Sequence, residues 1–109
     1  YVISNRFKKI GFSCDVAANG REAMDMVRDH VYILILCDLN LPDMHGFEIT
    51  LRIRALPKSN PNRETPVIAV TADVSDSTKS LVFDMGMNEL LIKPIQKSDV
   101  ELVAKKYLS

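Results

Sequence analysis

Three residues of this chain could do chemistry together: Asp38, Thr71 and Lys93. Each closes a short apolar run. Tyr32-Ile33-Leu34-Ile35-Leu36-Cys37 leads into Asp38, Val67-Ile68-Ala69-Val70 into Thr71, and Glu89-Leu90-Leu91-Ile92 into Lys93. The five apolar residues Tyr32 to Leu36 are too few for an ordinary helix and fit a parallel strand covered on both faces. Pro42 and Gly46 then turn the chain into a new segment. Parallel strands end side by side along one edge, where open α/β sheets bind ligands. A carboxylate, a hydroxyl and an ammonium would converge there. Aspartate can act as a nucleophile that forms an acyl phosphate. Lysine neutralises phosphoryl oxygens as a point charge, and threonine donates a hydrogen bond to another. Read alone, Asp38 fits a capping or turn aspartate equally well. All three at consecutive strand ends favour phosphoryl chemistry.

The segments between these runs have helical character. Asn19 offers an N-cap to a helix from Gly20 to Asp29, with Ala23, Met24 and Val27 on one face. Phe47, Ile49, Leu51, Ile53 and Leu56 fall in a second helix with an untidy stripe, ended by Pro57. The polar stretch Lys58 to Pro66 reads as a surface loop. Ser75 to Met85 carries Leu81, Val82 and Met85 at helical spacing and stops at Gly86. A last helix starts from Ser98 as N-cap and runs to Tyr107, with Val100, Val103, Ala104 and Tyr107 inward. Cys14-Asp15-Val16-Ala17 is a short strand-like run ahead of them. Strands alternating with helices predict one α/β domain over residues 1–109, built on a parallel sheet.

Composition narrows the function classes. The 109 residues carry no formal net charge, 47% are hydrophobic and 26% charged, as in an ordinary soluble domain. Without a basic stripe, direct nucleic-acid or membrane binding is not expected. No apolar run approaches the roughly 20 residues of a membrane span, and no signal peptide is evident. Cys14 and Cys37 lack CxxC spacing and read as small buried thiols of a cytosolic protein. His30 and His45 lack ligand spacing and read as surface residues.

Three stretches carry a family resemblance: Cys37-Asp38-Leu39-Asn40-Leu41-Pro42-Asp43-Met44-His45-Gly46, Pro66-Val67-Ile68-Ala69-Val70-Thr71-Ala72, and Gly86-Met87-Asn88 through Lys93-Pro94. With Ala17-Ala18-Asn19-Gly20-Arg21-Glu22-Ala23 they resemble the receiver domains of two-component response regulators, most of all those attached to hybrid histidine kinases. The resemblance implies a flavodoxin-like, doubly wound sheet in strand order 2-1-3-4-5 with helices on both faces. It implies that Asp38 accepts a phosphoryl group from the phosphohistidine of a histidine kinase or histidine phosphotransfer domain. Catalysis would extend only to self-phosphorylation and autodephosphorylation. Mg²⁺ would be held by Asp38 and the backbone carbonyl of Asn40 and would bridge Asp38 to the phosphoryl group. Lys93 would hold the phosphorylated state by charge, Thr71 would swing toward the phosphoryl oxygens, and Ala72 would leave room for a backbone N–H. Lys93-Pro94 resembles the family's cis peptide. Nearly two added negative charges would bias the face formed by the helix after Thr71 and the strand before Lys93.

Two departures qualify this. The family usually has an aromatic switch residue three positions before the lysine; here it is Leu90, so the signal would pass by packing without a ring flip, or pass weakly. Receivers also begin with a strand ending in two acidic residues that bind Mg²⁺. Here Ile3, Phe7 and Ile10 look like the second half of the first helix, leading to Gly11-Phe12, so the first strand and its acids are expected upstream in a longer protein. A rival alignment makes Tyr1-Val2-Ile3 that strand but leaves only about ten residues for the crossover. A chain without this strand is expected to be marginally stable, weak in Mg²⁺ binding and prone to form a homodimer by borrowing a strand. The alternative reading is a degenerate receiver, unphosphorylated, acting as a protein-interaction module. A phosphatase of the haloacid dehalogenase type needs a second aspartate two residues on, where Asn40 stands.

Overall fold

The computed structural model describes residues 15–108. The expectations for Ile3, Phe7 and Ile10, for the first strand and for its acidic pair lie outside the described residues. Three parallel strands form the sheet among those that are described: β1 (Ile35–Asp38), β2 (Val67–Thr71) and β3 (Glu89–Ile92), side by side in that order. Asp38 pairs with Val70 and Thr71 with Ile92, so the three strands end level with one another. The order matches the third, fourth and fifth strands of the flavodoxin-like arrangement. The central strand β2 is buried along its whole length, which is why its sequence is apolar on both faces.

Helices cover both faces. On one, α1 (Gly20–Asp29), α2 (Gly46–Arg54) and α3 (Asp76–Asp84) contribute Met24, Val27, Ile49, Ile53 and Val82, which pack on Cys37, Val67 and Ala69. On the other, α4 (Lys97–Tyr107) packs Val100 and Val103 against Ile68, Val70 and Leu91. The alternation along β2 decides which residue faces which layer.

Local chemistry explains most boundaries. The Asn19 side chain caps α1 by accepting the Glu22 N–H, as expected. Helix α3 ends at Gly86 (φ +93°), with the Gly86 and Met87 N–H groups returning to the Phe83 and Val82 carbonyls. Val82 and Met87 are both buried beside this turn, the apolar contact that accompanies such an ending.

Several boundaries differ from the sequence reading. Strand β1 starts at Ile35, not Tyr32, because β2 begins at Val67 and offers no earlier partner. Ile33 is left 63% exposed. Asp15–Ala17 is unpaired, since no strand among the described residues lies beside it. Helix α4 is capped at Gln96 rather than Ser98, with the Asp99 carboxylate accepting the Gln96 N–H at 2.9 Å. Leu51 is exposed, which accounts for the untidy stripe of α2, and Leu81, read at helical spacing with Val82 and Met85, is exposed while Val82 is buried.

The loop from Lys58 to Pro66 is not simply a solvated connection. It contains a 3₁₀ turn (Pro61–Glu64), and Asn62 within it is fully buried. Its side chain donates to the Val27 and His30 carbonyls and accepts the Tyr32 N–H. These are groups that the end of α1 and the approach to β1 leave without partners, and Asn can serve donors and acceptors at once.

Candidate functional site at the carboxyl edge of the sheet

Asp38 is the last residue of β1, and Lys93 follows the last residue of β3, on the far side of β2. The two side chains nevertheless meet: Lys93 Nζ donates to Asp38 Oδ2 at 2.5 Å, bridging 55 positions of sequence. The Lys93–Pro94 peptide bond is cis, and the Lys93 N–H donates to the Thr71 carbonyl at 2.8 Å. Both side chains keep solvent access, 44% for Lys93 and 32% for Asp38, so the pair lies at an open mouth.

The second Asp38 oxygen is also held. Oδ1 accepts the Asn40 N–H at 2.9 Å, which fixes the carboxylate against the loop that follows it. That loop closes on itself through an isolated antiparallel bridge between Asn40 and His45 and a bond from the Gly46 N–H to the Leu39 carbonyl. The closure requires glycine at 46. A Cβ there would stand 2.8 Å from the Asp38 carbonyl oxygen and 2.9 Å from Leu39 Cα, and both are backbone atoms.

Thr71, between the other two on the central strand, is 1% exposed, and its Oγ1 accepts the Asp73 N–H at 3.0 Å. Ala72 beside it is exposed, with no side chain beyond its methyl to close the mouth. Leu90 sits one layer inward, packed against the cluster of Val82 and Met87. Thus the structure brings Asp38, Asn40, Thr71, Ala72 and Lys93 to one edge and places Leu90 behind them. His30 and His45 are exposed, the latter with Nδ1 accepting the Phe47 N–H at the start of α2. Cys37 is buried under the site, and burial pushes its thiol up to about 12, with the Asp38 charge adding to the effect. It is therefore protonated and inert, as its place in the core suggests.

Two supports of this edge were not legible in the sequence. Asp43, in the loop after Asp38, caps the neighbouring helix: its oxygens accept the Gly20 N–H at 2.8 Å and the Arg21 N–H at 3.0 Å. These bonds, that from Gly20 foremost, hold its carboxyl below the ordinary range. Asp73, after Thr71, accepts the Ser75 N–H and the Thr78 hydroxyl. An Asx residue after a strand signals a turn, but nothing in a single sequence tells which distant or local N–H it will serve.

The response regulator receiver domain family matches residues 1–105. The chain is a receiver domain of that family. Among its curated relatives, hybrid signal transduction histidine kinase B of Dictyostelium discoideum is 38% identical over 99% of this chain and 6% of the relative. The aerobic respiration control sensor protein ArcB of Escherichia coli is 36% identical over 92% of this chain and 12% of the relative. The receiver thus spans only a small fraction of such relatives, and these are sensor kinases, as the ending Gly86-Met87-Asn88 through Lys93-Pro94 led us to expect. Among solved structures, the Vibrio cholerae chemotaxis protein CheY4 matches with a TM-score of 0.87 at 25% identity, covering 97% of this chain and 86% of that one. The receiver domain of a sensor histidine kinase from Pseudomonas aeruginosa, described with a magnesium ion coordinated in its active site cleft, matches with a TM-score of 0.85 at 28% identity, covering 98% and 85%. The flavodoxin-like fold of this receiver stands on these matches and on its parallel sheet.

Proposed function

We propose that residues 1–109 form one phosphoacceptor receiver domain of a two-component relay, in which Asp38 takes a phosphoryl group from a phosphohistidine. The contact between Lys93 and Asp38 carries this reading. An exposed ion pair adds little stability, so an ammonium brought to a carboxylate at the ligand-binding edge has a better use in neutralising phosphoryl oxygens. The Asp38 oxygen attacks phosphorus, the bond to the imidazole nitrogen breaks with its electron pair leaving on the ring, and an acyl phosphate forms. Thr71 donates its hydroxyl to one phosphoryl oxygen, and the backbone N–H at Ala72 is open to another because the side chain is only a methyl.

The donor set fits Mg²⁺. A carboxylate offers about four lone-pair sites, so Asp38 retains capacity beside the Asn40 N–H and Lys93. Mg²⁺ binds hard oxygens, usually one or two carboxylates with waters and phosphate oxygens. Asp38 and the Asn40 carbonyl would hold it. Among the described residues no group of three His, Cys, Asp or Glu side chains could hold a metal. When bound, the ion supplies charge neutralisation to the phosphoryl oxygens.

The partner on this reading is a histidine kinase or a histidine phosphotransfer domain, and the compartment is the cytoplasm. No helix among the described residues is long and apolar enough to cross a membrane. Asp38→Asn, which keeps the shape and removes the nucleophile, should abolish labelling by acetyl phosphate or a phosphohistidine donor. Labelling of the variant at another residue at a similar rate would refute the assignment. An unlabelled wild-type chain would support the degenerate receiver instead.

A further inference from the structure

Thr71 is tied to α3 by an unbroken run of hydrogen bonds. Its Oγ1 accepts the Asp73 N–H at 3.0 Å; the Asp73 carboxylate accepts the Thr78 hydroxyl at 2.7 Å and the Ser75 N–H at 2.8 Å. Ser75 Oγ in turn accepts the Thr78 N–H at 3.3 Å and donates to Thr78 Oγ1 at 3.1 Å, capping α3. Thr78 belongs to the first turn of α3, so the β2–α3 loop is stitched to the helix from within.

This run constrains what Thr71 can do. A hydroxyl that turns toward a phosphoryl oxygen either keeps the Asp73 N–H and drags the loop, or releases it and leaves a donor without a partner. Both outcomes act on Asp73, whose carboxylate is already bound to α3. Leu90, by contrast, is aliphatic and packed in the core cluster, so it can pass on only a change in packing. We propose that Asp73 and Thr78 are positioning residues that couple the Thr71 hydroxyl to the first turn of α3, and that the state of Asp38 reaches α3 by this route rather than through Leu90. The inference rests on the phosphoacceptor reading of Asp38. The element it moves exposes Phe83 (56%) and Leu81 (40%) on its outer side. The bonds from Ser75 and Thr78 also hold the Asp73 carboxyl below its ordinary range, so at neutral pH it is charged and able to accept them.

The test compares Thr78→Val, which keeps the branched shape without the hydroxyl, with Thr78→Ser, which keeps the hydroxyl. Without any phosphoryl mimic, Thr78→Val should speed amide exchange at Asp73 and Ser75 by about tenfold, and Thr78→Ser should not. With beryllofluoride, amide shift changes along residues 76–84 should largely vanish in Thr78→Val and return in Thr78→Ser, while those at Lys93 persist. A full α3 response in Thr78→Val overturns the proposal. So does an equal loss at Lys93, or faster exchange spread over the whole of α3, either of which would mean a general structural role. If the wild-type chain shows no beryllofluoride response, the phosphoacceptor reading fails, while unchanged exchange at Asp73 in Thr78→Val separately overturns the coupling.

Discussion

The Arg54 guanidinium donates twice to the Gly86 carbonyl, from Nε at 3.1 Å and from Nη2 at 2.9 Å, joining the end of α2 to the turn that closes α3. The same side chain reaches the Arg63 and Thr65 carbonyls through Nη1 and Asn88 Oδ1 through Nη2. Asn88 Oδ1 also accepts the Val67 N–H at the start of β2. One planar cation therefore ties the end of α2 to two loops at the amino end of the sheet, opposite the edge that carries Asp38 and Lys93, and its fixed fork of donors suits the task. Burial lowers the Arg54 pKa, with the Glu64 charge opposing, yet a guanidinium stays protonated throughout the working range.

Arg54→Met should therefore destabilise the fold by about 2–3 kcal/mol, since several partly buried carbonyls lose a charged donor. Arg54→Lys should recover only part, because an ammonium cannot span these acceptors. Urea titration of the three proteins checks this. Equal midpoints for all three would show that water replaces the guanidinium without penalty.

Asn62→Leu should cost about 2–4 kcal/mol, because the Tyr32 N–H and the His30 carbonyl lose their side-chain partner and the Val27 carbonyl keeps only the Asn60 amide as a side-chain donor. Amide exchange at Tyr32 should rise along with the loss of stability. A loss of stability with Tyr32 still protected would place the cost elsewhere.

Lys93→Ala should separate chemistry from signalling. On the proposed reading the ammonium would stabilise the charge on the phosphoryl oxygens without bonding to phosphorus, so some labelling of Asp38 should survive while the beryllofluoride response of α3 fades. Amide shifts with and without the mimic measure this, and a response of full size in the variant would exclude the role given to Lys93.

Asp43 gives an acid-side prediction. Its folded-state pKa is depressed, so its contribution to stability is present above the unfolded value, about 3.9, and is lost as pH falls through the folded value. Asp43→Asn should lower stability at neutral pH, and the gap from wild type should narrow as the solution is acidified below about pH 4. Thermal melts of both proteins across that range test it; a gap independent of pH would mean that the carboxylate charge contributes nothing to the cap.

Much of this receiver was legible in its sequence because short-range rules govern it. The runs before Asp38 and Thr71 read as buried parallel strands, since a strand covered on both faces has little room for polar residues, and Glu89 to Ile92 before Lys93 reads as a third strand. Asn19 as the cap of α1 and Gly86 as the end of α3 followed from the backbone groups that helix ends leave unpaired. The motif residues Asp38, Asn40, Thr71, Ala72 and Lys93 lie at one edge because parallel strands of matched length end together.

What only the tertiary structure decided concerns partners distant in sequence. The start of β1 depends on where β2 begins, so Tyr32 and Ile33 read as strand and are not. Asn62 looks like a residue of a polar loop until the end of α1 presents its carbonyls. Arg54 and Asp43 look like ordinary surface charges, and their partners lie 32 and 23 positions away in Gly86 and Gly20. A side chain's donors and acceptors are fixed by its type, but which unpaired backbone group lies within reach is set by how the layers pack.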